Sequence, residues 1–516
     1  MVPAPDLPLA ELVMQLLNRV VEVLKKMVPL LPTYSHLIAS AVFPIYAASH
    51  ASLTRPSSAA KAKSEAAAAE GEEEKSEVIE SLTPGDALLF PLLAGGTLAS
   101  LYFILKWLQE PHWLNRFLSL YFSWIGVFFG FKFVRDVLTT IRSLVFPNTY
   151  SSARGQLVWT ADPTKSAYTT ASGLTTNSPL PGMLRHLPLG RRLSAWIWGV
   201  RGLLSTPAAL HLRISGLLTV DTTITLIDPV ALCVSCAIAT FHAFVAKPWY
   251  LTNLLGFSFC YAALQFTTPT TGWTGTLVLG ALFVYDIYFV FFTPMMVTVA
   301  TKLDVPIKLL FPQPDGCVLA RSGSAEDSPA MQAYRECVAK KRAMAMLGLG
   351  DIVVPGMMIA FALRFDLFLH YCRRPETAKA EYKSATGAWG ERFWTKKTAW
   401  SEQLRAKSFQ KRYFHATLAG YVAGLVVTLV ALQVMQHGQP ALLYLVPGVL
   451  GAFWGTALVR GELKTLWNYS EAEEAGAATL PATAAGNTRA SSSSVDQDGV
   501  VTKRGRLVAA VAADAD

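Results

Sequence analysis

Two aspartates stand out because each is the single acid in the middle of a long apolar stretch. Asp286 lies in Leu282-Phe283-Val284-Tyr285-Asp286-Ile287-Tyr288-Phe289, and Asp351 lies in Met346-Leu347-Gly348-Leu349-Gly350-Asp351-Ile352-Val353. An ionised aspartate at the centre of a membrane-spanning helix costs about 2.5–3.5 kcal/mol on insertion scales. Each acid therefore predicts either a buried partner or a function.

Together the two acids could perform the chemistry of an aspartic protease. If adjacent helices bring Asp286 and Asp351 within a few ångström, repulsion and burial let one carboxyl ionise while the other keeps its proton. The ionised member takes a proton from water, and the protonated member polarises the scissile carbonyl. The sequence thus predicts hydrolysis by two carboxyls, with no metal, cofactor or covalent nucleophile.

Small and helix-breaking residues surround the second acid. Gly348 and Gly350 have no side chains, which permits close helix approach or an extended substrate beside the backbone. Pro355 and Gly356 follow and weaken the helix beyond Asp351. A helical peptide hides its carbonyl groups and must unwind before hydrolysis, so this irregular backbone suits a peptide substrate.

The composition indicates a membrane protein rather than a set of soluble domains. Of the 516 residues, 52% are hydrophobic and only 16% are charged. The apolar residues form runs close to the ~20 residues that a helix needs to cross a bilayer. The formal charge of +9 is spread over segments between these runs, which predicts topology-setting loops and no nucleic-acid partner.

Nine apolar runs predict an all-α polytopic membrane protein with nine transmembrane helices. Pro44 is expected to interrupt the first run, and Pro111, Pro248 and Pro440 mark boundaries between runs. The predicted spans are residues 34–52, 87–107, 113–134, 228–246, 249–267, 273–300, 344–370, 413–435 and 440–459.

The remaining segments differ in composition from the spans. In chain order they predict an amphipathic segment at 1–33, a flexible acidic linker at 53–84, basic insertions at 138–226 and 371–411 within a core of 85–470, and a disordered tail at 471–516.

The distribution of lysine and arginine predicts the orientation. Both insertions are basic and are therefore expected in the cytosol, which places the amino terminus outside it and the tail within it. Aromatic residues among the basic ones of the second insertion predict a helix lying on the cytosolic membrane face: Trp389, Phe393, Trp394 and Trp400. Cys233 and Cys236 have redox or zinc spacing, but they lie in an apolar run without a second pair, so we expect helix packing.

Three motifs in order resemble the GxGD intramembrane aspartyl proteases, and among them signal peptide peptidase more than the presenilins. These motifs are Tyr285-Asp286 in the sixth span, Gly348-Leu349-Gly350-Asp351 in the seventh, and Gln439-Pro440-Ala441-Leu442-Leu443-Tyr444-Leu445-Val446-Pro447 at the start of the ninth. Their order and spacing make the resemblance specific, although each motif alone is weak.

The resemblance implies a nine-span protease of the endoplasmic reticulum that cuts signal peptides and other type II oriented membrane segments. It implies that Asp286 and Asp351 are catalytic and that Pro440, Ala441 and Leu442 border the site. Tyr285, Gly348, Leu349 and Gly350 are expected to shape the site for the substrate. The bilayer and transmembrane peptides are the implied partners, and a homo-oligomer or quality-control partners are left open.

Two other classes of function stay open at this point. A proton or cation transporter could use the same acids as a relay, although such proteins often show inverted repeats that we do not find here. A membrane chaperone could bind transmembrane segments without cutting them. Metalloprotease chemistry is excluded, because none of the nine histidines is followed by Glu as the HExxH motif requires.

Overall fold

The fold is built from apolar helices, as the hydropathy of the sequence predicts. The computed structural model describes residues 28–60, 80–107, 112–152, 155, 157–214, 218–303, 308–312, 344–373, 382–435 and 438–471. The predicted amphipathic segment falls largely outside these residues, as do most of the predicted linker and all but the first residue of the predicted tail.

The helices, in chain order, are α1 (Leu31–Ala51), α2 (Pro84–Trp107), α3 (His112–Val145), α4 (Arg191–Ser205), α5 (Ile227–Phe244), α6 (Trp249–Phe266), α7 (Gly272–Phe291), α8 (Met295–Lys302), α9 (Gly350–Cys372), α10 (Trp389–Trp394), α11 (Glu402–Ala406), α12 (Arg412–Met435), α13 (Leu442–Arg460) and α14 (Leu463–Asn468).

Eight of the described helices are long and apolar enough to cross a membrane: α1, α2, α3, α5, α7, α9, α12 and α13. The other predicted span corresponds to α6, which has 18 residues but carries the polar side chains of Asn253 and Gln265. The polytopic helical fold class is therefore confirmed.

Three predicted spans have different bounds from those expected. Helix α1 runs through Pro44 without interruption, although a proline removes one backbone hydrogen bond from the interior of a helix. The predicted sixth span is divided into α7 and α8 around Pro294. The predicted seventh span begins as a strand, and its helix α9 starts only at Gly350. Asp351 therefore lies in the first turn of a helix and not in the middle of one.

Helix α9 is the central helix of the bundle. Of its most apolar 18-residue window, 83% is buried, against 6% to 39% in the other candidate spans. Helices α1, α6, α7, α12 and α13 pack around it. A helix that is apolar all round suits either an enclosed position or contact with lipid, and α9 takes the enclosed position.

Helices α12 and α13 approach closely through glycines. A side chain added at Gly420 would place its Cβ 2.3 Å from the carbonyl oxygen of Gly448, and one added at Gly424 would meet the carbonyl of Tyr444 at 2.7 Å. Small residues let membrane helices pack backbone to backbone. This contact fixes the start of α13 beside the central helix.

Short strands connect the helices. The strands are β1 (Glu80–Leu82), β2 (Thr149–Ser151), β3 (Val158–Asp162), β4 (Ala167–Thr170), β5 (Thr175–Thr176), β6 (Ala208–Ile214), β7 (Leu218–Ile224), β8 (Thr267–Pro269), β9 (Lys308–Pro312) and β10 (Met344–Gly348). Strands β2 to β5 form an antiparallel sheet, β6 pairs with β7, β9 pairs antiparallel with β10, and β1 pairs parallel with β8.

The first basic insertion thus contains a small sheet and helix α4, which the sequence did not predict. Tyr150, Trp159, Tyr168 and Trp198 form its own apolar cluster. Helix α3 continues past the predicted end of its span to Val145 and carries this sheet beyond the bundle.

Candidate active site

Asp286 lies in the fourth turn of α7 and points toward the start of α13. Its side chain is buried, and its Oδ2 accepts a hydrogen bond of 3.0 Å from the backbone N–H of Leu442. Leu442 is the first residue of α13, where helix geometry leaves N–H groups without partners inside the helix. The helix end therefore supplies a donor for a carboxylate that would otherwise be buried in apolar surroundings.

The turn at Pro440 and Ala441 makes this donor available. Leu443 N–H donates to the carbonyl of Pro440 and Leu445 N–H to that of Ala441, both at 3.2 Å, so the first turn closes without using the Leu442 N–H. Pro440 is buried and has no N–H of its own to satisfy. The predicted role of this block beside the site thus has a clear geometrical basis.

Asp351 opens α9 directly after strand β10. The structure brings its carboxyl close enough to that of Asp286 for their charges to interact. Its backbone carbonyl accepts a hydrogen bond of 3.3 Å from the buried Tyr421 hydroxyl of α12. Two acids separated by 65 positions in the chain thus lie within electrostatic range of each other.

The glycines beside Asp351 differ in their surroundings. A Cβ added at Gly348 would lie 3.3 Å from Asp351 Oδ2, whereas one added at Gly350 would meet nothing within 4 Å. Gly348 therefore leaves room for the carboxyl itself. Gly350 leaves open space beside it.

Leu349 and Tyr285, the predicted neighbours of the two acids, pack against different helices. A Cβ added at Gly256 of α6 would lie 3.5 Å from the Leu349 side chain. The Tyr285 ring packs on Phe289 with a centroid distance of 4.5 Å and faces Gly95 on α2. The role of both side chains in shaping the site stays a prediction.

The hairpin of β9 and β10 leads into the site and was not predicted from the sequence. Asn253 of α6 caps its outer edge, because its side chain donates to the Leu310 carbonyl at 2.8 Å and accepts from the Leu310 N–H at 2.7 Å. The sequence does show that Asn253 is a polar residue in an apolar span. It does not show which backbone groups the Asn253 side chain binds.

The pairing of the hairpin leaves one edge of β10 open. Met346 lies opposite Leu310, and the backbone groups of Leu310 are directed toward Asn253 instead. Since residues of an antiparallel pair alternate between bonded and non-bonded pairs, the N–H and carbonyl of Met346 point away from β9. Among the described residues β10 has no second strand partner.

A bundle of apolar helices that brings two aspartates within electrostatic range of each other, beside an open strand edge, has the architecture of an intramembrane aspartyl protease. The comparison with known proteins agrees. The family model for signal peptide peptidase matches residues 74–473, so the chain belongs to the signal peptide peptidase family.

Curated relatives point the same way. The signal peptide peptidase of Mus musculus is 27% identical over 396 residues, which cover 77% of this chain and 75% of the relative. That of Homo sapiens is 26% identical and covers 77% of this chain and 76% of the relative. A probable intramembrane protease of Schizosaccharomyces pombe is 37% identical over 241 residues, 46% of this chain and 63% of the relative.

The chain is therefore an intramembrane aspartyl protease, and the prediction of this class of enzyme is confirmed. The alternative of a proton or cation transporter gains no support from these findings. The enzyme acts on membrane-embedded substrates.

Proposed function

We propose that Asp286 and Asp351 are the catalytic pair of this protease. The observation that carries the proposal is their convergence from α7 and α9 at a point where the Leu442 N–H reaches Asp286. One carboxylate removes a proton from water as the oxygen adds to the scissile carbonyl carbon. The other carboxyl gives its proton to the carbonyl oxygen, and a gem-diol forms.

The second step breaks the carbon–nitrogen bond. The acid that received the proton of water donates it to the leaving nitrogen, and the gem-diol returns one proton to the other carboxylate. The products are a carboxylic acid and an amine, and both aspartates regain their starting protonation. The sum of the two steps is the addition of one water molecule.

The open edge of β10 supports binding of the substrate as an extended strand. A peptide that pairs with the N–H and carbonyl of Met346 would have its own backbone groups satisfied after it leaves the helical state. The strand ends at Gly348, three residues before Asp351, so a peptide in this register would present its carbonyls to the acids.

The substrate class we propose is signal peptides and type II oriented transmembrane segments of the endoplasmic reticulum membrane. The names of the relatives support the first of these. We propose an amino terminus in the lumen and a carboxyl terminus in the cytosol, supported by the basic insertions. Glycosylation acceptor sites added at each terminus test this: modification of the amino-terminal site alone is expected, and modification of the carboxyl-terminal site contradicts it.

Cleavage of a helical signal-peptide reporter in detergent tests the catalytic proposal. Asp286→Ala and Asp351→Ala are each expected to abolish cleavage while the protein elutes as a folded species in gel filtration. Full cleavage by either variant overturns the assignment. A homo-oligomer and quality-control partners stay predictions, which cross-linking of the purified enzyme would test.

A further inference from the structure

The two basic insertions meet at a cavity of about 460 Å³ that lies apart from the aspartates. One wall comes from the sheet at Tyr150, Ser151 and Ser152. A second comes from the 3-10 turn Gly182–His186, and a third from residues 393–396 of the second insertion. Its size falls in the range of small-ligand sites.

Specific contacts hold these three walls together. The indole N–H of Trp394 donates to the carbonyl of Leu144 at 2.7 Å, and the Lys396 N–H donates to Ser151 Oγ at 2.9 Å. Gly182 has φ of +60° and packs so closely that an added Cβ would lie 2.9 Å from the Trp394 ring. The cavity is thus a defined junction, to which we refer as the insertion cavity.

The insertion cavity is lined by cations and by no acid among the described residues. Arg185 and Lys396 are its permanent positive charges, and His186 lies beside Arg185 with a distance of 3.3 Å from Nε to Nε2. Neither Arg185 nor Lys396 forms an ion pair with a described carboxylate. The Arg185 guanidinium lies over the Trp159 ring at 5.3 Å, which holds its position.

The Tyr150 hydroxyl lies buried beneath the polar lining. Tyr150 has no accessible surface, and its hydroxyl has no hydrogen-bond partner of normal geometry among the described residues. Burial raises the pKa of Tyr150 to about 12, with Arg185 opposing the shift, so the phenol stays neutral. The charges that an oxyanion in the cavity would meet are therefore those of Arg185 and Lys396.

The rim of the insertion cavity is apolar and exposed. Met183 is 83% exposed and Phe393 is 71% exposed. The junction is tied to the last turn of α3, where the Gly390 N–H donates to Ser143 Oγ and Trp394 to Leu144. A 34-residue helix is about 51 Å long, so α3 extends past the ~30 Å hydrocarbon layer into the headgroup region.

We propose that the insertion cavity binds the phosphate of an anionic phospholipid, with its acyl chains lying over Met183 and Phe393. Arg185 and Lys396 contact the phosphate. The apolar rim is the feature that favours a lipid over a soluble phosphate, since only the lipid gives Met183 and Phe393 an apolar partner. The two insertions then serve to attach the protease to anionic membrane.

Binding of dioctanoyl phosphatidylinositol phosphate to the full-length enzyme in detergent tests this proposal. Its deacylated headgroup and dioctanoyl phosphatidylcholine are measured beside it. We expect Arg185→Gln with Lys396→Gln to weaken binding of the anionic lipid at least tenfold. Arg191→Gln with Lys397→Gln removes the same charge from exposed positions outside the cavity and is expected to change it less than twofold.

Two further comparisons decide the outcome. The headgroup and the neutral lipid are each expected to bind at least tenfold more weakly than the anionic lipid. Tyr150→Phe removes a hydroxyl that has no accessible surface in the cavity, and it is expected to change binding of the anionic lipid less than twofold. Equal binding of headgroup and lipid would identify a soluble phosphate ligand and overturn the proposal. Equal losses in the two double variants would also overturn it, because binding would then follow charge alone.

Discussion

Buried charged side chains lie at both ends of the central helix α9, and they differ in how many hydrogen-bond partners they have. At the far end Arg364 donates to Glu471 at 2.8 Å, to Ser52 at 3.0 Å and to Thr268. Asp366 accepts from the N–H groups of Tyr413 at 3.2 Å and Phe414 at 2.9 Å. At the near end Asp286 accepts from one backbone N–H, that of Leu442, and Asp351 lies within electrostatic range of it.

The difference separates structural from reactive charge. The Arg364 guanidinium donates to residues of three separate segments and thereby joins the ends of several helices. The aspartates have hydrogen-bonding capacity left over: a carboxylate oxygen can accept from water, and a protonated carboxyl can donate to a peptide carbonyl. Spare capacity in a buried carboxyl costs stability, which is the usual signature of a site kept for chemistry.

Replacing aspartates by asparagines should have the largest effect, and the effect should differ between the two ends of α9. Cleavage should be lost at one end and stability at the other. Asp286→Asn and Asp351→Asn are expected to lower kcat on the order of 10³-fold or more, because neither amide can transfer protons. Their thermal midpoints should stay near that of wild type. Asp366→Asn is the matched variant at the other end, and it should unfold earlier while its folded fraction still cleaves. If Asp366→Asn lost cleavage but kept its stability, the distinction between a structural Asp366 and a reactive pair of aspartates would be wrong.

Removing Arg364 should act on stability alone. Arg364→Met leaves Glu471 buried without its cation, which typically costs about 3–5 kcal/mol. Thermal unfolding in detergent should show a clearly lower midpoint. Arg364→Met with Glu471→Gln should recover part of the loss, since no unpaired charge is then buried. A double variant no better than the single one would count against the ion pair as the source of stability.

The open edge of β10 can be tested with one residue. Met346→Pro removes an N–H that points away from β9, so it should leave the hairpin intact. We expect roughly a tenfold loss in kcat/KM, the worth of about one hydrogen bond to a substrate strand. Met346→Ala keeps the N–H and should cleave almost normally. Equal activity of the two variants would argue against strand pairing by the substrate.

The smallest predicted effect distinguishes two neighbouring glycines. A Cβ at position 348 would crowd Asp351 Oδ2 at 3.3 Å, whereas one at position 350 would meet nothing. Gly348→Ala should therefore slow cleavage roughly three- to tenfold, and Gly350→Ala should have little effect. Steady-state kinetics with the signal-peptide reporter measure both. A larger loss in Gly350→Ala would mean that substrate, and not the carboxyl, fills this space.

The sequence predicts more of the site than of its surroundings. Asp286 and Asp351 are visible because a charge in an apolar run is costly, and the Pro440 turn because proline marks a helix start. The position of Asp351 in the first turn of α9 was not predicted, since an apolar strand such as β10 has the same hydropathy as a helix continuing into it. Pairing with β9 depends on Asn253, which is distant in the chain.

The insertions show the same limit. Trp389, Phe393 and Trp394 do form the short helix α10, but Trp394 packs against the end of α3 and the turn at Gly182 rather than facing outward. Phe393 is exposed, and the prediction of an aromatic helix on the membrane face stays a prediction. A local pattern cannot reveal a partner segment more than 200 residues away.

Binding of a transition-state analogue tests the catalytic assignment most directly. A peptide carrying a hydroxyethylene group in place of the scissile amide should raise the thermal midpoint of wild type and of Arg364→Met, because both keep the acids that bind the tetrahedral centre. Asp286→Asn and Asp351→Asn should show no shift at the same concentration. A shift of equal size in either aspartate variant would contradict the assignment of that residue to the catalytic pair.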